Sequence, residues 1–146
     1  MALGANLGDA RAALTRARRW IAAIPGVRVT ASSRVHLTAP VGPPQPPYLN
    51  AVLRVETRLP PRALLLALQR LESAAGRVRT LRWGPRTLDL DLLMYGDRIC
   101  DDPVLRLPHP RMHERRFALA PLCELDPQLR HPRLDRTMAD LLAALP

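Results

Sequence analysis

The chain has 146 residues, a hydrophobic fraction of 47% and a formal net charge of +9 at pH 7, which suits one domain with a sizeable core and an anionic partner. All 22 basic side chains are arginine, so a Walker-type phosphate loop and Schiff-base catalysis by lysine are excluded. The apolar runs are too short to span a membrane, and the two cysteines lack metal-binding spacing. We therefore expect a cytoplasmic location.

The first part of the chain predicts a short strand, a helix and two further strands. A glycine-rich segment at 3–8 follows a very short apolar start, and residues 9–26 form an amphipathic helix that Pro25 and Gly26 end. The apolar stripe of this helix comprises Leu7, Ala10, Leu14, Ala17, Ile21 and Ile24. Residues 27–37 and 49–59 alternate as strands do, and the proline-rich segment 39–48 between them predicts a stiff loop.

The second part predicts a helix, a basic loop, a strand and two more helices. Residues 60–76 form a helix with Leu64, Leu68, Leu71 and Ala75 on its buried face, and residues 77–86 form the basic loop. Residues 87–96 predict a strand that a turn at 96–97 closes, 103–117 a loop, and 117–125 and 137–145 helices. The order βαββαβ predicts an α+β, ferredoxin-like antiparallel sheet with flanking helices and long active-site loops, in a single domain over 1–146.

Two acidic residues lie inside the predicted strand 87–96. Asp89 and Asp91 are two residues apart, so they share one face of the strand at a spacing of ~7 Å, while Leu88, Leu90 and Leu92 point to the core. Adjacent carboxylates repel each other, so a cation is expected beside them. The spacing leaves two interpretations open: a solvated pair bridged to arginines, or ligands for Mg²⁺ whose shell substrate phosphates complete.

Arginines directly before the acidic pair favour the second interpretation. The basic loop 77–86 and its end supply Arg77, Arg79, Arg82 and Arg86, and guanidinium groups grip phosphate oxygens with two parallel hydrogen bonds. Trp83 in the same loop could close over a bound nucleotide, or it could simply anchor the loop. The loop and the strand together predict a phosphate- and metal-binding site.

The stretch GRVRTLRWGPRTLDLDLLMYG, at 76–96, resembles the signature of the 6-hydroxymethyl-7,8-dihydropterin pyrophosphokinase family of folate biosynthesis. Further similarity lies in LGANLGD, in TAPVG followed by PPYLNAV, in ALQRLE and in LPHPRMHERRFALAPLCEL, so that it spans Leu3 to about Leu129. The resemblance implies transfer of the diphosphate of ATP to the hydroxymethyl group of the pterin, with release of AMP. It also implies that Asp89 and Asp91 hold two Mg²⁺ ions and that Arg77 and Arg86 act on the triphosphate.

The remaining site residues are implied by the same resemblance. On the ATP side they are Gln69, Glu72, Arg77, Trp83, Arg86, Leu92, Arg106, His109 and Arg115, with Leu92 and Arg106 contributing backbone near adenine. On the pterin side they are Thr38, Ala39, Pro40, Val41, Tyr48, Asn50 and Phe117. From the residues alone, Gln69 and Glu72 would be read as an exposed polar pair, His109 as structural and Phe117 as a core aromatic.

Two other classes of protein fit parts of the sequence. A basic ferredoxin-like sheet could bind RNA, but the aromatic fraction of 3% gives no stacking strand. A noncatalytic regulator could bind ATP and metal on the same scaffold. We expect instead a monomeric enzyme whose partners are ATP and the pterin and that binds no nucleic acid and no membrane.

Overall fold

Within residues 1–40, 42–76 and 87–146, which the computed structural model describes, the chain forms seven strands and four α-helices. In chain order they are β1 (Ala2–Ala5), α1 (Ala10–Ala22), β2 (Val27–Ser32), β3 (His36–Thr38), β4 (Tyr48–Thr57), α2 (Pro61–Ala74), β5 (Asp89–Asp91), β6 (Cys100–Asp101), β7 (Arg106–Leu107), α3 (Arg116–Leu125) and α4 (Met138–Ala143). The longest described helix, α2, has 14 residues, and no described helix reaches the length and apolarity needed to cross a membrane.

The main sheet has the order β2-β4-β1-β5, with β3 paired to β4 beside β2, and its neighbouring strands are antiparallel. The two βαβ connections thus interleave, each with an antiparallel strand between its own two strands. This arrangement confirms the predicted ferredoxin-like α+β fold.

Helices cover both faces of the sheet. One face packs on α1 and α2 through a cluster that contains Leu14, Ala17 and Ile21 of α1 and Leu64 and Leu68 of α2. The other face packs on α3 and α4 through a second cluster that contains Val52, Leu93, Met112, Ala118, Leu119, Leu122, Met138 and Leu141. Leu88, Leu90 and Leu92 all belong to the first cluster, as the strand pattern predicts.

The helix α1 begins later than its apolar stripe predicts. Asp9 caps it by accepting a hydrogen bond from the Ala12 N–H at 3.1 Å, so Leu7 precedes the helix and is exposed. The inclusion of Leu7 in the buried stripe was therefore wrong. A side-chain cap ends the helical ladder, because it supplies the acceptor that an additional turn would otherwise provide.

The predicted strand 27–37 is interrupted. Between β2 and β3, the Ser33 hydroxyl accepts a hydrogen bond from the Val52 N–H at 2.9 Å, while the Ser33 N–H donates to the Val52 carbonyl. The Arg34 side chain contacts Glu124 of α3 at 2.8 Å. A serine hydroxyl thus takes the place of a backbone acceptor, and the single predicted strand becomes two that pair with the same edge of β4.

The secondary structure of β5 and of the region after it differs from the sequence prediction. Only Asp89–Asp91 of the predicted strand 87–96 pair with β1, although the turn at Gly96 is present. Residues 103–117, predicted as a loop, contain β7, a 3₁₀ turn at Met112–Glu114 and the start of α3. The hairpin of β6 and β7 was missed because strands of two residues carry no periodic signal.

Candidate active site

The register of the strands aligns three residues, Asn50, Gly4 and Asp89, in a row across the sheet, called the transverse row below. Asn50 of β4 lies opposite Gly4 of β1, and Gly4 in turn lies opposite Asp89 of β5. Residues directly opposite each other in antiparallel strands point to the same face. Leu93, four residues after Asp89, belongs to the cluster under α3 and α4, so the row faces that side.

The two acidic residues lie on β5, at the end of the described sheet. Asp89 and Asp91 are both half-buried, and Leu90 between them is turned into the opposite core. Their positions opposite Gly4 and Ala2 put both carboxylates on the face of the row. The predicted shared face is therefore present, and small residues on the neighbouring strand leave space in front of the acids.

His109 lies close to this acidic pair, and two hydrogen bonds fix its position. Its N–H donates to the Leu93 carbonyl at 2.8 Å, and its Nδ1 accepts a hydrogen bond from the Arg111 N–H at 3.2 Å. Burial first, and the Arg115 charge second, lower the pKa of His109 to about 4, against the opposing influence of Asp89. The ring is thus neutral at pH 7 with its proton on Nε2, which makes Nε2 a hydrogen-bond donor.

Arg115 immediately precedes α3 and is half-buried. Burial is the main cause that lowers the pKa of its guanidinium, Arg111 adds to the effect, and Asp91 and Asp89 oppose it. The guanidinium lies 5.4 Å from the centre of the Phe117 ring. The structure thus brings Arg115, His109 and both aspartates within electrostatic reach of one another.

Three of the predicted pterin-side residues, Thr38, Tyr48 and Asn50, lie together at the other end of the row. The Asn50 amide nitrogen donates to the Thr38 hydroxyl at 2.5 Å, and Tyr48 lies opposite Thr38 where β3 and β4 pair. Ala39 is exposed and Pro40 half-buried directly after β3. Phe117, in the first turn of α3, is half-buried and packs against the α3–α4 cluster.

The other predicted ATP-side residues are more dispersed. Gln69 of α2 is exposed, whereas Glu72 is only 4% exposed, so the interpretation of an exposed polar pair is wrong for Glu72. Leu92 is buried in the core, and Arg106 is exposed on β7. Four further predicted site residues lie outside the described residues: Val41, Arg77, Trp83 and Arg86.

Two residues of β1 and its end were missed by sequence reasoning. A Cβ atom on Gly4 would meet the Asn50 Oδ1 at 2.9 Å, so only glycine leaves the Asn50 side chain its place. Asn6 is 5% exposed and donates from Nδ2 to the Gln45 Oε1 at 2.9 Å and to the Pro46 carbonyl at 2.8 Å. The available signal was the glycine-rich segment 3–8 after the short apolar start, because glycine often marks a close approach of the backbone to another group.

The acids fit a magnesium site that substrate completes. Among the described residues, no group of three or more His, Cys, Asp or Glu side chains could hold a metal ion. The carboxylates of Asp89 and Asp91 are hard oxygen ligands that could hold such an ion. Mg²⁺ is commonly bound in this way, through one or two carboxylates together with substrate phosphates and water.

Comparison with known proteins identifies the family. A sequence model of the 7,8-dihydro-6-hydroxymethylpterin-pyrophosphokinase family matches residues 1–127. The chain is 45% identical to a 2-amino-4-hydroxy-6-hydroxymethyldihydropteridine pyrophosphokinase of Pseudomonas aeruginosa, over 100% of the chain and 90% of that relative. A protein of the same name from Synechocystis is 40% identical over 96% of the chain and 72% of the relative. Folic acid synthesis protein fol1 of Schizosaccharomyces pombe is 37% identical over 100% of the chain and 20% of its own length. The chain therefore belongs to the 7,8-dihydro-6-hydroxymethylpterin-pyrophosphokinase family.

Proposed function

We propose that the chain transfers the diphosphate of ATP to the hydroxymethyl oxygen of 6-hydroxymethyl-7,8-dihydropterin, at a site where Asp89 and Asp91 hold two Mg²⁺ ions. The family is one of ATP-using pyrophosphokinases that act on this pterin in folate biosynthesis. The new bond joins the pterin oxygen to the β-phosphorus. The bond between the β-phosphorus and the bridging oxygen of the α-phosphate breaks, AMP leaves with that oxygen, and the hydroxyl proton is lost.

The transverse row is the observation that carries this proposal. Asn50, at the pterin end, and Asp89, at the metal end, are two strands apart on one face, which corresponds to ~10 Å between their backbones. Gly4 between them presents no side chain, so an acceptor held at Asn50 could extend its hydroxymethyl arm toward a triphosphate held at Asp89. Holding both reactants in one geometry supplies much of the rate enhancement in such transfers.

Charge neutralisation and orientation of the triphosphate are what the bound Mg²⁺ ions would supply. Asp89 and Asp91 would hold them from β5, at the end of the described sheet. Arg115 would bring a half-buried positive charge to the same phosphates, and the neutral His109 would donate from Nε2 to a phosphate oxygen. Support comes from the mutual electrostatic influence of these four side chains.

The other nucleotide contacts are proposed from the family resemblance. They comprise Gln69, the backbone at Leu92 and at Arg106, and, from the segment outside the described residues, Arg77, Trp83 and Arg86. The arginines would neutralise the triphosphate, and Trp83 would help to exclude water from the site.

Asn50 is the proposed reader of the pterin ring edge. Its amide offers both a donor and an acceptor, and the hydrogen bond to Thr38 fixes which of its atoms faces the ligand. Phe117 and Tyr48 would flank the flat ring, with Thr38, Ala39, Pro40 and Val41 as the loop that wraps it. The Asn6 amide supports this role, because it ties the proline-rich segment to the end of β1.

Measurement of the adenine nucleotide product tests the proposal. Protein, Mg²⁺, ATP and 6-hydroxymethyl-7,8-dihydropterin are mixed, and AMP, ADP and pterin diphosphate are quantified together. We expect AMP and pterin diphosphate in equal amounts and only with Mg²⁺ present. Formation of ADP would indicate transfer of the γ-phosphate, and an absence of turnover would favour a noncatalytic ATP-binding regulator.

We also propose a cytoplasmic monomer that does not bind nucleic acid or membrane. RNA-binding ferredoxin-like modules read bases on an open sheet face, whereas here α1 and α2 cover one face and α3 and α4 pack on the other. Both cysteines are free, as cytosolic thiols are.

A further inference from the structure

The strand that carries both acids is short and lies at the end of the described sheet. Strand β5 has three residues, and β1 is its neighbour in the sheet order. Edge strands direct alternate backbone N–H and C=O groups away from the sheet. The orientation of a strand this short therefore depends on what binds its outer edge.

A buried carboxylate of α2 binds that outer edge. Glu72 is 4% exposed, and its Oε2 accepts a hydrogen bond from the Leu90 N–H at 2.9 Å. Leu90 is the residue between Asp89 and Asp91. The hydrogen bond links residues 18 apart in sequence, and α2 is itself fixed in the core by Leu64 and Leu68.

We propose that Glu72 is a positioning residue, which holds the backbone of Leu90 and thereby aims the carboxylates of Asp89 and Asp91 at the metal-bound triphosphate. It acts through the strand and not by contact with the nucleotide, in place of the ATP contact that the family resemblance implies. This inference rests on the proposed function, because it requires that Asp89 and Asp91 bind Mg²⁺. Magnesium demands near-ideal octahedral geometry, so a small rotation of β5 would weaken its binding.

Two substitutions of Glu72 separate the effect of side-chain length from the effect of charge. Glu72→Gln keeps the length of the side chain and an oxygen acceptor for the Leu90 N–H but loses the charge. Glu72→Asp keeps the charge but is shorter by one carbon–carbon bond, about 1.5 Å, and no longer reaches Leu90. Ser73→Ala is the matched control, because Ser73 is the exposed neighbour of Glu72 on α2.

Hydrogen exchange of the Leu90 amide, measured by NMR without metal or nucleotide, is the first readout. In Glu72→Asp we expect exchange about 5- to 150-fold faster than in the parent, which corresponds to ~1–3 kcal/mol for an unsatisfied buried donor. Glu72→Gln should stay closer to the parent, and Ser73→Ala should match it. Unchanged Leu90 exchange in Glu72→Asp would overturn the inference.

Magnesium affinity, measured with a nonhydrolysable ATP analogue present, is the second readout. We expect a loss of about 10- to 100-fold in Glu72→Asp, as for other partners that orient metal ligands, and a smaller loss in Glu72→Gln. Affinity for the analogue without Mg²⁺ should not change, because Glu72 does not touch the nucleotide. A larger loss of magnesium affinity in Glu72→Gln than in Glu72→Asp would overturn positioning in favour of a direct charge effect.

The two proposals fail separately. Faster Leu90 exchange with unchanged magnesium affinity would refute the positioning role and leave AMP formation by the parent protein intact. Absence of AMP formation by the parent would refute the proposed function, on which the inference depends.

Discussion

Replacement of Gly4 by alanine tests the geometry of the transverse row. The new Cβ would lie 2.9 Å from the Asn50 Oδ1, closer than such atoms approach without a shift. The Asn50 side chain is the flexible partner, so it would move and weaken its 2.5 Å hydrogen bond to Thr38. A hydrogen bond of this kind contributes ~0.5–1.5 kcal/mol, so we expect pterin affinity to fall about 2- to 13-fold.

The assay is calorimetric titration of the pterin into protein saturated with Mg²⁺ and a nonhydrolysable ATP analogue. Affinity for the ATP analogue itself, measured before the pterin is added, should change less than twofold, because the atoms nearest to the new Cβ belong to Asn50, Tyr48 and Leu49 on the pterin side of Gly4. Steady-state kinetics on the same variant should show a raised KM for the pterin.

A double-mutant cycle with Asn50→Ala provides the control. Without the Asn50 amide, the nearest atoms to the new Cβ are the Tyr48 Cδ1 at 3.7 Å and the Leu49 carbonyl oxygen at 3.8 Å, both ordinary contacts. The double variant should therefore bind the pterin as Asn50→Ala does. Additive losses, or an equal loss of affinity for the ATP analogue, would refute the reasoning.

Three other perturbations test separate parts of the account. Asp91→Ala should lower Mg²⁺-dependent turnover by more than about 100-fold, since even residues that only orient metal ligands cost 10- to 100-fold. The circular dichroism of Asp91→Ala should be unchanged, and Asp97→Ala, at an exposed position, is the matched control. Full activity of Asp91→Ala would show that Asp91 is not a metal ligand. Asn6→Ala loses two hydrogen bonds from a buried amide, so the free energy of unfolding should fall by ~1–3 kcal/mol. The KM for the pterin should rise more than the KM for ATP. Equal changes in both KM values would argue against a role of Asn6 in holding the proline-rich segment. Burial first, and the Arg115 charge second, lower the pKa of His109 from 6.5 to about 4, so the unfolded chain binds more protons at this residue. Urea unfolding should therefore show a contribution to stability that rises with pH from about 4 to about 6.5 and is lost as the pH falls. His109→Asn should remove this contribution, and identical pH profiles in the parent and the variant would contradict the shift.

The fold could be predicted where side chains alternate between core and solvent. Leu88, Leu90 and Leu92 indicated one buried face of β5, and the acids between them indicated the other, because a strand has a period of two. The order of elements then restricted the topology, and the structure confirms both. Family motifs predicted the ends of the transverse row, Asn50 and Asp89, but not that they share a register.

The features that could not be predicted depend on partners distant in sequence. Ser33 interrupts a strand because its hydroxyl binds Val52, 19 residues later, and the strand pattern contains no trace of this. Glu72 resembles an exposed helix residue in the sequence, because its carboxylate accepts a hydrogen bond from the N–H of Leu90, which lies 18 residues later. Gly4 is important because it has no Cβ atom, and this becomes apparent only when the structure places Asn50 beside it.

The most direct test of the central claim is a crystal structure with Mn²⁺ in place of Mg²⁺, a nonhydrolysable ATP analogue and the pterin. Anomalous scattering would locate the metal without reference to the surrounding electron density. The account predicts metal within ~2.1 Å of carboxylate oxygens of both Asp89 and Asp91 and of the analogue's phosphates, with the pterin beside Asn50. Metal bound to the phosphates alone, with both carboxylates turned away, would contradict it.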